Sequence, residues 1–335
     1  VEFGRFSGLQ MNWAKCEIFP LTEVTAPPSM SNPLRWSPSE VRYLGINVTR
    51  DEVELARNNF GVALETLRTS VARWIRLPLS MFARVALIKM VVLPRFLYLF
   101  LNIPIKLPLT FFKQLNQALA SLVWVGRTPG VAWGILLRPL RRGGLGVPDM
   151  QLYYLVLQAQ YIRYWKMPYS PMLLSRVERS IKRTPALLAQ LCMCPRVLIE
   201  DVHVVGLSVW AWWEIARRLN AQMPYSLLLP LQDNRLLPLT RDRSAQWWLR
   251  ALELVTLGDL FPGGGFLSLE GFLSGDLWDT MGITTYHSFR SALRAAFPDF
   301  SRAPRELLLL TSFLQRECSE KSVTYLYSEI TLHAE

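Results

Sequence analysis

The pattern of apolar and polar positions changes period several times along the chain. Residues 3–7 read as the end of a helix stopped at Gly8. Cys16 to Phe19 is a short apolar run bounded by Pro20, and residues 26–38, with four prolines, read as a loop. Val41 to Val48 alternates with period two and predicts a strand, bulged near Gly45. From Thr49 the period becomes helical. Thr49-Arg50-Asp51-Glu52 has the capping-box form, with Thr49 as N-cap and Glu52 reaching back. Phe60, Leu64, Leu67, Val71 and Trp74 then form one stripe of one helix.

A second helix is predicted from Leu79 to Leu101, kinked at Pro94, with Arg84 and Arg95 three turns apart on one face. A third runs from Leu109 to Val125, with Phe111, Leu115, Ala118 and Leu122 inward and Lys113, Gln114 and Gln117 outward. A connector rich in glycine and arginine, 127–148, leads to Asp149, which caps a tyrosine-bearing helix reaching Trp165. Beyond 168 the pattern predicts short helices near 207–219, 244–254, 286–296 and 305–316. The fold class is therefore mainly α with a small β element.

Charge sharpens this picture. The formal net charge is +11, and it is not spread evenly. Residues 56–166 hold fifteen Lys/Arg against only Glu65 and Asp149, a net of +13. The segment before them is slightly acidic and residues 167–335 are neutral. A surface with one sign of charge implies a partner of the other sign, and nucleic acid leads because its neutralised phosphates release counterions. A solvated basic surface and an anionic membrane surface are the other readings.

No stretch reads as membrane-spanning, since the most apolar run, Val85 to Leu101, contains Lys89, Pro94 and Arg95. Scarce cysteines fit a reducing compartment, cytoplasm or nucleus, rather than secretion.

Most candidate chemistry falls away on inspection. Cys192-Met193-Cys194 has no second ligand pair at zinc spacing, and His203, His287 and His333 are scattered. The first fifty residues contain no aspartate, so no paired carboxylates for two metal ions are visible. Gly143-Gly144-Leu145-Gly146 lacks the Lys-Ser/Thr of a P-loop and reads as a tight turn. Trp210, Trp212 and Trp213 share one helix, with Trp213 and Ala216 on one face. Core packing is their default role and base stacking the alternative. No small-molecule ligand is evident.

Several stretches, in order, carry a resemblance. Phe6-Ser7-Gly8-Leu9-Gln10-Met11-Asn12-Trp13-Ala14-Lys15-Cys16-Glu17 resembles the S-G-L-x-x-N-x-x-K-[SC]-E segment of reverse transcriptases from LINE-type non-LTR retrotransposons. Arg42-Tyr43-Leu44-Gly45-Ile46 is similar to their Y-L-G-I primer grip, and Ser80 to Arg95 to their thumb helix. Asn102-Ile103-Pro104-Ile105, Phe111 to Leu115 and Trp124 continue it. Gly143-Gly144-Leu145-Gly146-Val147-Pro148-Asp149 with Leu152-Tyr153-Tyr154 resembles the GG-L-x-x-P-[DN] and LYY element beyond the thumb.

The resemblance implies a palm remnant with its hairpin at 1–50, a basic helical thumb at 51–126, and a connector and wrist-like irregular helical region at 127–335. It also implies a partner, RNA or an RNA–DNA hybrid, held through 56–166. By the same carry-over Lys15 matches the palm lysine proposed as a general acid. Tyr43, Leu44 and Gly45 would lie near the primer end, and Arg84, Lys89, Arg95 and Lys113 are the expected phosphate contacts.

The catalytic F/Y-A-D-D motif is not among these residues. Mg²⁺ is implied only for the full-length family enzyme, no cofactor is expected in this chain, and RNA-directed DNA polymerase activity is not expected of it alone. The expectation is a 5′-truncated copy of such an element that keeps nucleic-acid binding. A non-enzymatic helical interaction protein, or a retroelement relic without function, is the alternative.

Overall fold

The computed structural model describes residues 2–9, 12–22, 35–165, 203–219, 226–229, 231, 256–272, 280–296, 305–315 and 320–333. The predicted helix at 244–254, the Trp247-Trp248 pair, the Cys192/Cys194 pair and most of the proline loop lie outside them. The described chain is mainly helical with a small β part. It divides into two compact units: Val1–Arg84 with Leu107–Pro129, and Val85–Lys106 with Gly130–Glu335.

In the first unit a short helix, Glu2–Ser7, ends before Gly8, whose φ is +70°. Strands β1 (Glu17–Ile18) and β2 (Arg35–Trp36) pair in parallel. The segment predicted as one bulged strand is instead a hairpin. Strand β3 (Glu40–Tyr43) runs antiparallel to β4 (Ile46–Thr49), with Tyr43 opposite Ile46. That register leaves a two-residue turn, Leu44-Gly45, with φ of 47° and 84°. Two successive positive φ values make a type I′ turn, whose twist suits a hairpin. The turn reverses the chain where a bulge would only have bent it.

The helix that follows β4 covers 52–74 and includes a π turn, Arg57–Gly61. Its N-cap is Asp51 rather than Thr49: the Asp51 carboxylate accepts the Glu54 N–H at 2.9 Å. Thr49 is held in the ladder opposite Glu40, so it cannot serve as the cap. A charged acceptor also suits the positive end of the helix. The predicted stripe is largely the core. Phe60, Leu64, Leu67 and Val71 are buried, while Trp74 is half-buried.

These residues pack on the Leu109–Trp124 helix, whose Phe111, Phe112, Leu115, Leu119 and Leu122 are buried. Phe60 and Phe111 meet edge to face at 5.7 Å. Asn59, in the π turn, fastens the hairpin to the helix. It accepts the Asn47 N–H at 2.9 Å and donates to the carbonyls of Asn47 and Leu55, each at 2.8 Å.

One continuous helix, Met81–Asn102, crosses the boundary between the units at Arg84 and Val85. Pro94 does not end it. Proline cannot donate to the carbonyl four residues back, and a π turn at Ile88–Val92 precedes it and takes up the mismatch. The turn corrects the expectation that Arg84 and Arg95 share a face. It adds about one residue to the winding, so the eleven-residue spacing leaves them roughly a quarter turn apart. With a mean hydropathy of 1.7 over its most apolar 18 residues, this 22-residue helix is, by length and composition, long and apolar enough to cross a membrane. A third of its most apolar window is buried within the protein.

In the second unit Phe96, Leu99 and Phe100 of that helix are buried. They lie beside the Met150–Ala159 helix, which Asp149 caps as predicted through the Leu152 N–H at 2.9 Å. The tyrosine-bearing helix does not run unbroken to Trp165; it breaks after Ala159 and resumes at Ile162–Trp165. Its side chains supply donors to carbonyls at the end of the preceding helix and just past it. Tyr154, Gln158 and Tyr161 donate to Ile105, Phe100 and Leu101 at 2.7, 2.6 and 2.5 Å. Carbonyls there have no partner of their own within the helix.

Against this packs His203–Arg218, where Trp212 rather than Trp213 is the fully buried tryptophan, stacked on Phe313. Trp210 lies under the Lys106 ammonium at 4.9 Å, so its exposed side already faces a cation. The helix Thr280–Ala296 starts earlier than its pattern suggested, and Arg305–Gln315 and Glu320–His333 follow it.

Candidate nucleic-acid interface

The hairpin builds the first cluster. Its turn brings Tyr43, Leu44 and Gly45 together at an exposed tip, with Tyr43 66% and Leu44 73% accessible. Two large apolar side chains at a loop tip leave most of their surface in solvent. Leu44 also holds a left-handed backbone that costs a non-glycine residue about 1–2 kcal/mol. Lys15 stands exposed at the end of a short 3₁₀ turn, Trp13–Lys15.

The predicted phosphate contacts divide between the units. Arg84 and Lys113 belong to the first, Lys89 and Arg95 to the second. Lys89, Arg95 and Lys113 are exposed. Arg84 is half-buried, and its Nε is enclosed without a hydrogen-bond partner.

They are part of a wider set. Arg57 and Arg68 pair with Glu54 and Glu65 along their own helix. Among the described residues no ion pair involves Arg73, Arg76, Arg84, Lys89, Arg95, Lys106, Lys113, Arg127, Arg138 or Arg141. All but Arg84 are exposed. Residues 56–166 offer only Glu65 and Asp149 as acids, so within each unit these cations keep their charge toward solvent.

Sequence reasoning missed what surrounds Lys89. The connector folds back on itself: Leu145 and Val147 donate to the Leu136 carbonyl, and Gly146 to that of Arg138 at 2.8 Å. Gly144 is required by close approach, since a Cβ there would sit 2.0 Å from the Arg138 carbonyl oxygen. Gly146 has φ of +61°, and a Cβ on it would come within 3.2 Å of the Lys89 Nζ. The glycine-rich motif was the one signal that could have pointed here.

A second missed feature ties Glu320–His333 to the Asp149 cap. The Asp149 N–H donates to the Tyr327 hydroxyl at 2.8 Å, Arg218 pairs with the Asp149 carboxylate at 3.0 Å, and Tyr327 stacks on Tyr153 at 3.8 Å. Burial pushes both tyrosine hydroxyls above their ordinary titration range.

The metal ions that the resemblance implies for the full enzyme have no fitting ligands among the described residues. No group of three His, Cys, Asp or Glu side chains comes together among the described residues. Lys15 has no carboxylate cluster beside it in that set, so no proton-transfer step is built on it. No protein-family model matches the chain.

Proposed function

We propose that this chain derives from the reverse transcriptase of a LINE-type non-LTR retrotransposon and that its own function is to grip the backbone of RNA or an RNA–DNA hybrid. The observation that carries this reading is the set of exposed, unpaired cations in 56–166. The ordered motifs from Ser7 to Tyr154 support the family. On this reading the hairpin tip at Tyr43-Leu44-Gly45 meets the primer end. The cations, Arg84, Lys89, Arg95 and Lys113 among them, neutralise phosphates. Polymerase chemistry is not part of the proposal, since among the described residues no group of three His, Cys, Asp or Glu side chains comes together for Mg²⁺.

The test is a titration of the chain with a labelled RNA–DNA hybrid at several salt concentrations. With about six phosphates neutralised, affinity falls roughly a thousandfold between 50 and 200 mM salt. Arg95→Ala or Lys113→Ala each lowers the salt slope by about one. Absence of binding at low salt by a folded chain overturns the proposal, as does primer extension with Mg²⁺ and dNTPs above a Lys15→Ala background for its inactive part.

The second reading, a helical interaction protein, is favoured by Met90, Val91 and Leu101, apolar yet exposed on the Met81–Asn102 helix. It predicts the first of those failures.

A further inference from the structure

The second unit contains a cavity of about 290 Å³ between the glycine-rich connector, Lys89 and the Glu320–His333 helix. We infer that it binds a phosphomonoester, the terminal phosphate of a nucleotide with its sugar. This does not rest on the backbone-binding reading, because a mononucleotide could occupy the cavity of a chain that holds no duplex.

Charge comes first. Among the described residues the charged side chains lining the cavity are Lys89 and Arg141, both cations, and no carboxylate lines it. Neither takes part in an ion pair among the described residues. A phosphomonoester carries about −1.5 to −2 at pH 7 and can match both. A diester in mid-strand carries one charge and matches only one of the two cations.

Geometry comes second. The connector's wall is fixed by its backbone bonds to Leu136 and Arg138. The Lys89 ammonium lies against that wall, within 3.2 Å of where a Cβ on Gly146 would stand. The opposite wall brings Tyr327, Ser328 and Thr331, and the Tyr327 hydroxyl already accepts the Asp149 N–H. Thr331 spends its proton on the Ser328 carbonyl at 2.9 Å, whereas the Ser328 hydroxyl has no hydrogen bond among the described residues and is available to donate. Leucines 137, 140 and 332 complete the lining with apolar surface suited to a sugar and not to a bare ion.

The experiment is calorimetric titration of the full chain with AMP, adenosine and inorganic phosphate at constant ionic strength. AMP is expected to bind at one site at least tenfold tighter than adenosine, with phosphate weaker than AMP but detectable. Lys89→Ala and Arg141→Ala, both at exposed positions, should each weaken AMP about tenfold, the scale of a charge-assisted hydrogen bond. Ser328→Met, which fills the cavity, should do the same in a chain whose circular dichroism is unchanged.

Two single-stranded oligonucleotides distinguish the sources of the phosphate. If a strand end is the occupant, the 5′-phosphorylated one competes with AMP and its 5′-hydroxyl twin does not. Free nucleotide is the occupant if neither competes. AMP binding no tighter than adenosine, or AMP affinity indifferent to both cation substitutions, overturns the inference.

Discussion

The two units solve one physical problem in different ways. In the first, the hairpin and the following helix leave backbone groups to be satisfied, and one buried amide, Asn59, does it across twelve residues. In the second, carbonyls at and just past the end of Met81–Asn102 are met by Tyr154, Gln158 and Tyr161, across 49 to 60 residues. The Asp149 N–H is met by Tyr327, 178 residues away. Short-range closure costs little loop entropy and forms early, whereas the long-range kind makes each bond conditional on the rest of its unit. The cations differ in setting as well. Arg73 and Lys113 of the first unit project from helices toward solvent, as Arg95 of the second does, while Lys89 and Arg141 of the second line a cavity.

The largest effect should come from breaking the short-range device. Asn59→Ala leaves the Asn47 N–H and C=O without their side-chain partner and opens a small void. The expected loss is about 2–4 kcal/mol. Urea unfolding measures it, and hydrogen exchange locates it, with the Asn47 amide losing protection first. A loss below 0.5 kcal/mol would mean that the amide is not what fastens the hairpin.

The long-range device is tested by Tyr327→Phe, which removes the acceptor of the Asp149 N–H and should cost about 1–2 kcal/mol. It also changes the response to alkali. Burial raises the titration of Tyr153 and Tyr327 above the ordinary tyrosine value of about 10. Above that pH the unfolded chain releases protons that the folded chain still holds, so stability falls as pH rises. Below it the contribution is whole and flat. Tyr327→Phe should make the decline above pH 10 shallower, and an unchanged slope in urea melts at pH 9 to 11 would refute the burial of that hydroxyl.

The same division explains what the chain's own text reveals. Asp149 as a cap, the Phe60 to Val71 stripe and the inward face of Leu109–Trp124 depend on neighbours three to eleven residues away, and periodicity reports those distances. The π turns at Arg57–Gly61 and Ile88–Val92 do not show in it. They are set by what Asn59 must reach and by a proline whose missing donor has to be absorbed upstream. Taking Thr49 as the cap failed because the competing claim on it, its pairing with Glu40, comes from another segment. The hairpin turn was hidden for a different reason. Type I′ turns favour Asn or Gly at both positions, and Leu44 carries no such signal.

That misfit residue is the basis of the smallest prediction and the one that connects fold to function. Leu44→Asn creates an Asn-Gly turn that accepts positive φ more readily, and it removes an apolar side chain that is 73% exposed. If only the fold mattered, leucine would be a poor choice here, and the substitution should stabilise the chain by about 1 kcal/mol. On the proposed function, the use of a leucine at that cost is contact with the bound strand. The hairpin tip is where the proposed function places the primer end. The variant should therefore melt at higher urea while binding an RNA–DNA hybrid several-fold more weakly, with an unchanged salt slope because no cation is lost. Higher stability with unchanged binding would leave the strain at Leu44 without a role in the grip. Lower stability would mean that Leu44 serves the hairpin itself.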